Sequence, residues 1–257
     1  MKSFMAIALE DFPLIEAGED LADTIVEVAK KNGLDFEDGD VLAIAQKVFS
    51  KAEHRVVRLR DVAPSGKAVE IAKVTGKSPR FVELVLRETK KILKISHDVF
   101  LVEDKRGLVC INAGIDKSNV EGRSNFALLP EDPDKSAEQC RATIRKLTGK
   151  NVAVIICDTY SRPFRRGQVN FAIGVAGIKP FKDYRGKKDL FGQVLKVKNS
   201  AIVDEIAAAA ELLMGQAREA TPVIVLRGLS DSVTFCEKCN LSELFISSEE
   251  DLFKGTL

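Results

Sequence analysis

The chain has no tryptophan and only two tyrosines and two histidines, and these shortages already exclude some chemistry. With His54 and His97 as the sole imidazoles, a Ser/His/Asp hydrolase triad is poorly supported. His54, beside Glu53, reads as an exposed loop histidine rather than a general base. No G-x-x-x-x-G-K-[ST] is present and no G-x-G-x-x-G follows a strand, so a nucleotide would have to bind without either standard glycine loop. An excess of one charge is also missing. Thirty-nine Lys plus Arg against 38 Asp plus Glu leave a formal net charge of +1, too little for a general field that holds duplex DNA. Any anion site must therefore be local. No apolar run approaches the roughly 18 residues of a membrane span, and Met1 to Glu10 lacks the h-region of a signal peptide. The expectation is a cytoplasmic protein with no membrane and no nucleic-acid partner. Five cysteines, an odd number at irregular spacing, argue against a disulfide framework and for a reducing compartment.

What is present suits a folded enzyme-sized body. The 257 residues are 45% hydrophobic and 30% charged, enough apolar material for a sizeable core in one large domain or two intimate subdomains. No internal repeat, Gly/Ser linker or low-complexity tract marks a boundary, so residues 1–257 read as a single unit with no clean linker.

Hydrophobic spacing predicts a helix over Asp20 to Asn32, stopped by Gly33, and a buried strand over Val41 to Ala45 after the turn Asp38-Gly39-Asp40. That strand should deliver Gln46, Lys47, Ser50 and Lys51 to an exposed end. Two short helices follow, near Gly66 to Thr75 and from Ser78-Pro79. Val99 to Glu103 and Leu108 to Asn112 read as a hairpin. Ser136 and Gln139 form a capping box for a helix over Ala137 to Thr148, with Gly149 beyond its end. Val152 to Cys157 reads as a strand with Asp158 and Thr159 just past its end, where open α/β sheets gather ligand groups. Asn199 to Leu213 predicts a helix before Gly215, and Val223 to Leu226 a strand.

Three features bear chemistry. Between Arg162 and Lys188 stand eight basic residues and one acid, Asp183, together with four glycines that would let backbone approach a ligand. Phosphate or carboxylate recognition is one reading of this segment, and a solvated loop is the other. A non-catalytic binder of RNA or of a phosphorylated ligand would use the same 162–188 segment, although few aromatics are available to stack. Asp116 with Ser118 and Asn119, and Asp158 with Thr159, offer hard oxygen ligands suited to Mg²⁺ or Mn²⁺ bridging phosphates, or else serve as turn and cap aspartates. Cys236 and Cys239 have C-x-x-C spacing but no second pair, which reads more simply as structural thiols than as a metal or redox site. Cys110, Cys140 and Cys157 lie in apolar or helical runs and read as core residues.

Four stretches together resemble one family: Gln46 to Glu53, Asn112 to Asn119, Leu128 to Asp134, and the long run from Asp158 to Arg185. The chain is similar to coenzyme F420-0:L-glutamate ligases from about Asp11 to Arg227, in order and without large gaps. The resemblance implies an α+β fold of two intertwined subdomains of mixed sheets and helices, neither P-loop nor Rossmann, in a homodimer. It implies GTP hydrolysis coupled to amide formation between the terminal carboxylate of coenzyme F420-0 and the amino group of L-glutamate, adding one or more γ-linked residues. A divalent ion, Mg²⁺ or Mn²⁺, maps onto Asp116, Asp158 and Thr159 with a further contact at Gln216, and some members need K⁺. GTP contacts map onto Phe12, Pro13, Leu14 and Ile15, onto Gln46, Lys47, Lys51 and Asn119, and onto the loop Met214, Gly215, Gln216, Ala217, Arg218, Glu219, Ala220 and Thr221. In that scheme Asp116 and Asp158 hold the metal, Lys47 and Lys51 neutralise phosphates, and the cluster containing Arg162 and Arg165 grips the acid substrate. The chain departs from the family at Ser161 and His54, where members carry glycine. No motif of the family is recognised beyond Gly228.

Overall fold

A computed structural model describes residues 1–162, 164–247 and 249–251. The strands are β1 (Met5–Ala8), β2 (Val41–Ala45), β3 (Val56–Arg58), β4 (Thr89–Ser96), β5 (Val99–Asp104), β6 (Val109–Ile111), β7 (Asn125–Ala127), β8 (Ala153–Ser161), β9 (Gln168–Ala176), β10 (Lys182–Asp183), β11 (Asn199–Ser200) and β12 (Val223–Arg227). The helices are α1 (Leu21–Lys31), α2 (Gln46–Ala52), α3 (Gly66–Thr75), α4 (Pro79–Glu88), α5 (Pro133–Thr148) and α6 (Ile202–Met214). Helices and separate, mostly antiparallel sheets make the fold α+β. Two compact units divide the chain: Met1–Ala52 with Asp132–Leu244, and Glu53–Glu131 with Phe245–Leu257.

The first unit is built on a five-stranded sheet ordered β1-β12-β2-β8-β9, in which only β2 and β8 run parallel. Val41 to Ile44 and Ala153 to Ile156 are fully buried, as expected of apolar strands covered on both faces. Helix α1 starts where Asp20 accepts from the Ala22 and Asp23 amides, and the chain leaves it through Gly33 at φ 71°. Helix α5 begins three residues before the expected capping box. Asp132 is its N-cap, accepting from the Lys135 amide, and Pro133 opens it, while Ser136 lies one turn inside and donates to the Asp132 carbonyl. A proline at the first helical position needs no amide partner, so Asp-Pro outcompetes the Ser/Gln pair. Gly149, at φ 73°, ends the helix as expected.

Two further differences follow from pairing. Asn199 and Ser200 join β11 opposite Asp183 and Lys182 instead of opening α6, so that helix starts at Ile202. Cys236 and Cys239 are joined as a disulfide, against the expectation of none, whereas Cys110, Cys140 and Cys157 are buried as expected.

The second unit carries the β4-β5-β6 sheet, the β3-β7 pair and helices α3 and α4. The hairpin of β5 and β6 is present, and β4, whose two register shifts hide any clean alternation, pairs with its outer side. Ser65 caps α3, while Ser78 makes no capping bond to α4. Phe100, Val102, Val82, Val85 and Ala68 centre the core of this unit. Among the described residues no helix is long and apolar enough to cross a membrane.

Candidate active site

In the first unit, β2, β8 and the approach to β12 bring four of the highlighted segments to one end of the sheet. The Ala45 amide donates to the Pro222 carbonyl at 2.9 Å, setting the end of β2 beside the loop that follows α6. Gln46 then opens α2. It is not exposed, as expected, but 2% accessible, and Ser50 is fully buried beside it. Ser50 Oγ donates to Gln46 Oε1 at 2.7 Å, while Gln46 Nε2 is buried with no hydrogen-bond partner. An unused buried amide donor costs free energy, about 1–3 kcal/mol, unless something accepts from it. Lys47 and Lys51 are half-buried on the same helix, each already engaged. In the segment after β1, Phe12 and Ile15 are core residues while Pro13 and Leu14 are exposed. A ligand here would meet the outer pair or main-chain groups. Gly18 N–H to the Ala52 carbonyl, 2.8 Å, ties this segment to the end of α2.

Asp158 and Thr159 do not follow β8 but lie inside it. The β2 ladder ends at the Ala45–Cys157 pair because the chain turns into α2, and β8 continues through Ser161 paired with β9 alone. Among the described residues no strand pairs with the other edge of these last four positions. Side chains alternate along a strand, so Asp158 and Thr159 point to opposite faces. Tyr160 stacks edge-on against Phe171 at 4.5 Å on the Asp158 face. Thr159 shares the other face with its partner Asn170, whose side-chain amide donates to Met214 Sδ on α6 at 3.6 Å.

The end of α6 brings a residue that sequence reasoning missed. Glu211 Oε1 accepts from the Gln216 side-chain amide, and its Oε2 is buried without a partner. Burial raises the Glu211 pKa, with Glu219 adding to the shift and the Gln216 bond opposing it. Burial likewise raises Asp204, although the Ala172 amide donates to it at 3.0 Å. Asp158, Asp204 and Glu211 all lie near enough to Cys157 to add to the upward shift that burial imposes on its thiol. The only sequence signal for Glu211 is one acid ending the run Ala207 to Ala210. Beyond it Gly215 takes φ 68°, ψ 176°, a conformation essentially confined to glycine, and an added Cβ would lie 2.4 Å from Glu219 Cδ. Glu219 then accepts from the Ala217 amide at 2.8 Å, and Thr221 Oγ1 donates to the Leu213 carbonyl at 2.9 Å. Arg218 and Ala220 are exposed between them. The loop Met214 to Thr221 is therefore braced by its own side chains.

The basic segment is not one loop. Arg162, Arg165 and Arg166 occupy the turn from β8 to β9, at the same end of the sheet as Asp158; Pro163, within it, lies outside the described residues. Lys179 to Lys188 come after the far end of β9, and nine strand residues place Lys179 roughly 30 Å from that turn. The glycines between serve packing. A Cβ on Gly174 would lie 2.6 Å from Pro133 and one on Gly177 2.8 Å from Arg141, both on α5. The basic residues of 162–188 are thus divided between the two ends of β9.

Asp116 and Asn119 belong to the second unit. Asn112, Ala113 and Gly114 there take φ 54°, 54° and 69°, three successive left-handed residues before Ile115 and Asp116. Such backbone costs of order 1–2 kcal/mol per non-glycine residue and collects at functional sites. The Asp116 main chain exchanges hydrogen bonds of 3.0 and 2.8 Å with Ala127. Its carboxylate accepts from the Lys117 and Ser118 amides and from Ser118 Oγ. Asn119 is exposed at φ 53°.

The donors available to a cation are carboxylate, hydroxyl and amide oxygens, which fit Mg²⁺ or Mn²⁺ and not a metal that needs sulfur or imidazole. Among the described residues no group of three His, Cys, Asp or Glu is assembled to hold a metal. Any ion bound by Asp158 and Thr159 would draw its remaining ligands from amides, hydroxyls, substrate or water.

Comparison with known proteins agrees with the resemblance drawn from the motifs. The profile of the F420-0:gamma-glutamyl ligase family matches residues 11–228. A coenzyme F420:L-glutamate ligase of Archaeoglobus fulgidus is 46% identical over 249 residues, 97% of this chain and 96% of the relative. Its counterpart in Methanothermobacter thermautotrophicus is 45% identical over 222 residues, 86% and 88% of the two chains. That of Methanopyrus kandleri is 42% identical over 258 residues, 99% and 100%. The ends of β2 and β8 that carry Gln46 and Asp158 lie within the matched region, and the chain belongs to the F420-0:gamma-glutamyl ligase family.

Proposed function

We propose that this chain uses GTP to join L-glutamate to the terminal carboxylate of coenzyme F420-0, forming one or more γ-linked amides and releasing GDP and phosphate. The observation that most favours it is the buried Gln46 amide with an unspent donor, set at the end of β2 beside the part of β8 that carries Asp158 and pairs with β9 alone. A bound polar ligand would supply the missing acceptor.

An ionised carboxylate is a poor electrophile. Transfer of the γ-phosphoryl group from GTP to the acceptor carboxylate makes an acyl phosphate, and attack by the glutamate amine then expels phosphate and leaves the amide. Charge on the phosphoryl oxygens must be neutralised throughout. Lys47 and Lys51 are the cations on α2 suited to that task, and Gln46 donates to the nucleotide. Asp158, with Thr159 and Gln216, would hold Mg²⁺ or Mn²⁺, and K⁺ is a further candidate activator. When bound, the divalent ion supplies Lewis-acid charge neutralisation. Arg162 and Arg165, at the β8–β9 turn, receive the acidic end of the acceptor. A homodimer is the proposed assembly.

Full-length protein incubated with GTP, Mg²⁺, L-glutamate and coenzyme F420-0 is expected to give a product heavier by one or more glutamate units. GDP should be released only when both acceptor and glutamate are present. Retention of GTP or acceptor without turnover would replace the ligase reading with a binding role. Arg165→Ala is expected to raise the KM for the acceptor by about tenfold or more, the worth of one charge-assisted hydrogen bond, and to leave the KM for GTP nearly unchanged. The reverse result would move the phosphate site to the arginine turn.

A further inference from the structure

The segment after β12 folds back over the junction of β9 and α5. Lys179 N–H donates to the Thr234 carbonyl at 2.8 Å and Cys236 N–H to the Gly177 carbonyl at 3.0 Å, while Ile178 and Phe235 form an isolated antiparallel bridge. Further along, Leu241 N–H donates to Asp134 Oδ2 at 3.1 Å, and Asp134 Oδ1 accepts from Val175 N–H at 2.8 Å, so one carboxylate joins the overlying segment to β9 at the start of α5. Between these attachments the chain turns through Cys236-Glu237-Lys238-Cys239. Glu237 reaches the guanidinium of Arg141 at 3.3 Å, and Arg141, 7% accessible, also donates to the Val152 carbonyl.

The cysteines in this turn differ from the other three. Cys110, Cys140 and Cys157 are buried, and burial pushes the Cys140 thiol up to about 12, which removes the thiolate needed for exchange. Cys236 and Cys239 are half-buried at the surface and joined to each other, with Cα atoms 6.1 Å apart, inside the range a disulfide spans. The covalent link thus closes a four-residue turn that stands between two sets of hydrogen bonds.

We propose that Cys236 and Cys239 are a reversible redox clasp whose oxidant is a small-molecule disulfide, and that closing it fastens residues 234–241 over the β9–α5 junction. One cysteine thiolate attacks a sulfur of the small disulfide, breaking that S–S bond, forming a mixed disulfide and expelling one small thiolate. The second cysteine thiolate attacks the protein sulfur of the mixed disulfide, forming the Cys236–Cys239 bond and expelling the other. The protein loses two electrons and two protons, and the small disulfide gains both as two thiols.

The test uses full-length protein equilibrated with either reduced or oxidised glutathione, then labelled with a thiol alkylating reagent and weighed. Reduced protein is expected to take two labels while folded and the remaining three of its five cysteines only after unfolding; oxidised protein should take none while folded. Oxidation should slow amide hydrogen exchange across 234–241 by about tenfold and raise the Tm by about 2–5 °C. A variant carrying Cys236→Ser and Cys239→Ser should show the exchange of the reduced protein under both conditions. Two reactive thiols persisting in excess oxidised glutathione would overturn the proposal. So would a disulfide that forms and leaves the exchange of 234–241 unchanged.

Discussion

Replacing Gly174 with alanine is expected to cost the protein about 3 kcal/mol or more, a large part of the roughly 5–15 kcal/mol that holds an ordinary domain together. The new Cβ would lie 2.6 Å from the carbonyl carbon, the carbonyl oxygen and Cβ of Pro133. None of these atoms is the far end of a flexible side chain. Pro133 is locked into the first turn of α5 by its ring and by the Asp132 cap, and β9 is locked to β8 by the ladder through Ile156 and Gly174. Relief requires moving a helix or breaking a ladder. Two other glycines set the scale. At Gly33 an added Cβ meets open space, and only the left-handed backbone at φ 71° penalises alanine, by about 1 kcal/mol. At Gly114 the clash, also 2.6 Å, is with Leu129 Cδ1, a side-chain atom rather than backbone, so the cost should fall between. Urea unfolding of the three variants should rank them Gly174, Gly114, Gly33. A Gly174→Ala protein within 1 kcal/mol of the parent would mean that α5 does not press on β9 as closely as described.

The same glycine shows what the sequence could and could not reveal. Strands and helices with strong local signals were readable: Val41 to Ala45 has the unbroken apolar run of a strand buried on both faces, and Leu21 to Lys31 has a cap, an apolar stripe and a glycine stop. Gly174 was misread because a glycine needed for close approach looks the same whether the approaching group is a ligand or a helix. Only the fold brings Pro133, 41 residues earlier, onto it. The basic run misled for a related reason. Residues adjacent in sequence need not be adjacent in space, because an extended strand carries the chain about 3.3 Å per residue away from its start. Glu211 was missed because its importance lies in a buried oxygen without a partner, and burial is not written in a local pattern. His54, where the resemblance implies glycine, takes the left-handed backbone that glycine favours, φ 57°, and is exposed. Ser161, the other departure, ends β8 and shows no such positive φ.

For the site itself the sharpest expected result is Asp158→Asn, which should reduce ligation by on the order of 10²–10³-fold or more while leaving the fold intact. Asn preserves the shape of the side chain and its place opposite Phe171 in the β8–β9 ladder, so the strand has no reason to shift. It removes one charge from a neighbourhood that also contains Asp204 and Glu211, whose pKa values are already raised by burial. Thermal stability should therefore stay level or rise. What is lost is the ionised oxygen that would bind a divalent ion, and the amide oxygen that remains is a weaker ligand for a hard cation. Direct titration with Mn²⁺ in the presence of GTP should show weaker ion binding in the variant, a readout separate from turnover. Gln216→Ala gives the comparison: loss of one neutral oxygen should weaken ion binding by a smaller factor than loss of the carboxylate. If Asp158→Asn turns over in Mg²⁺ at the parental rate, Asp158 holds no metal, and the end of β8 must serve the acceptor or the amino acid instead.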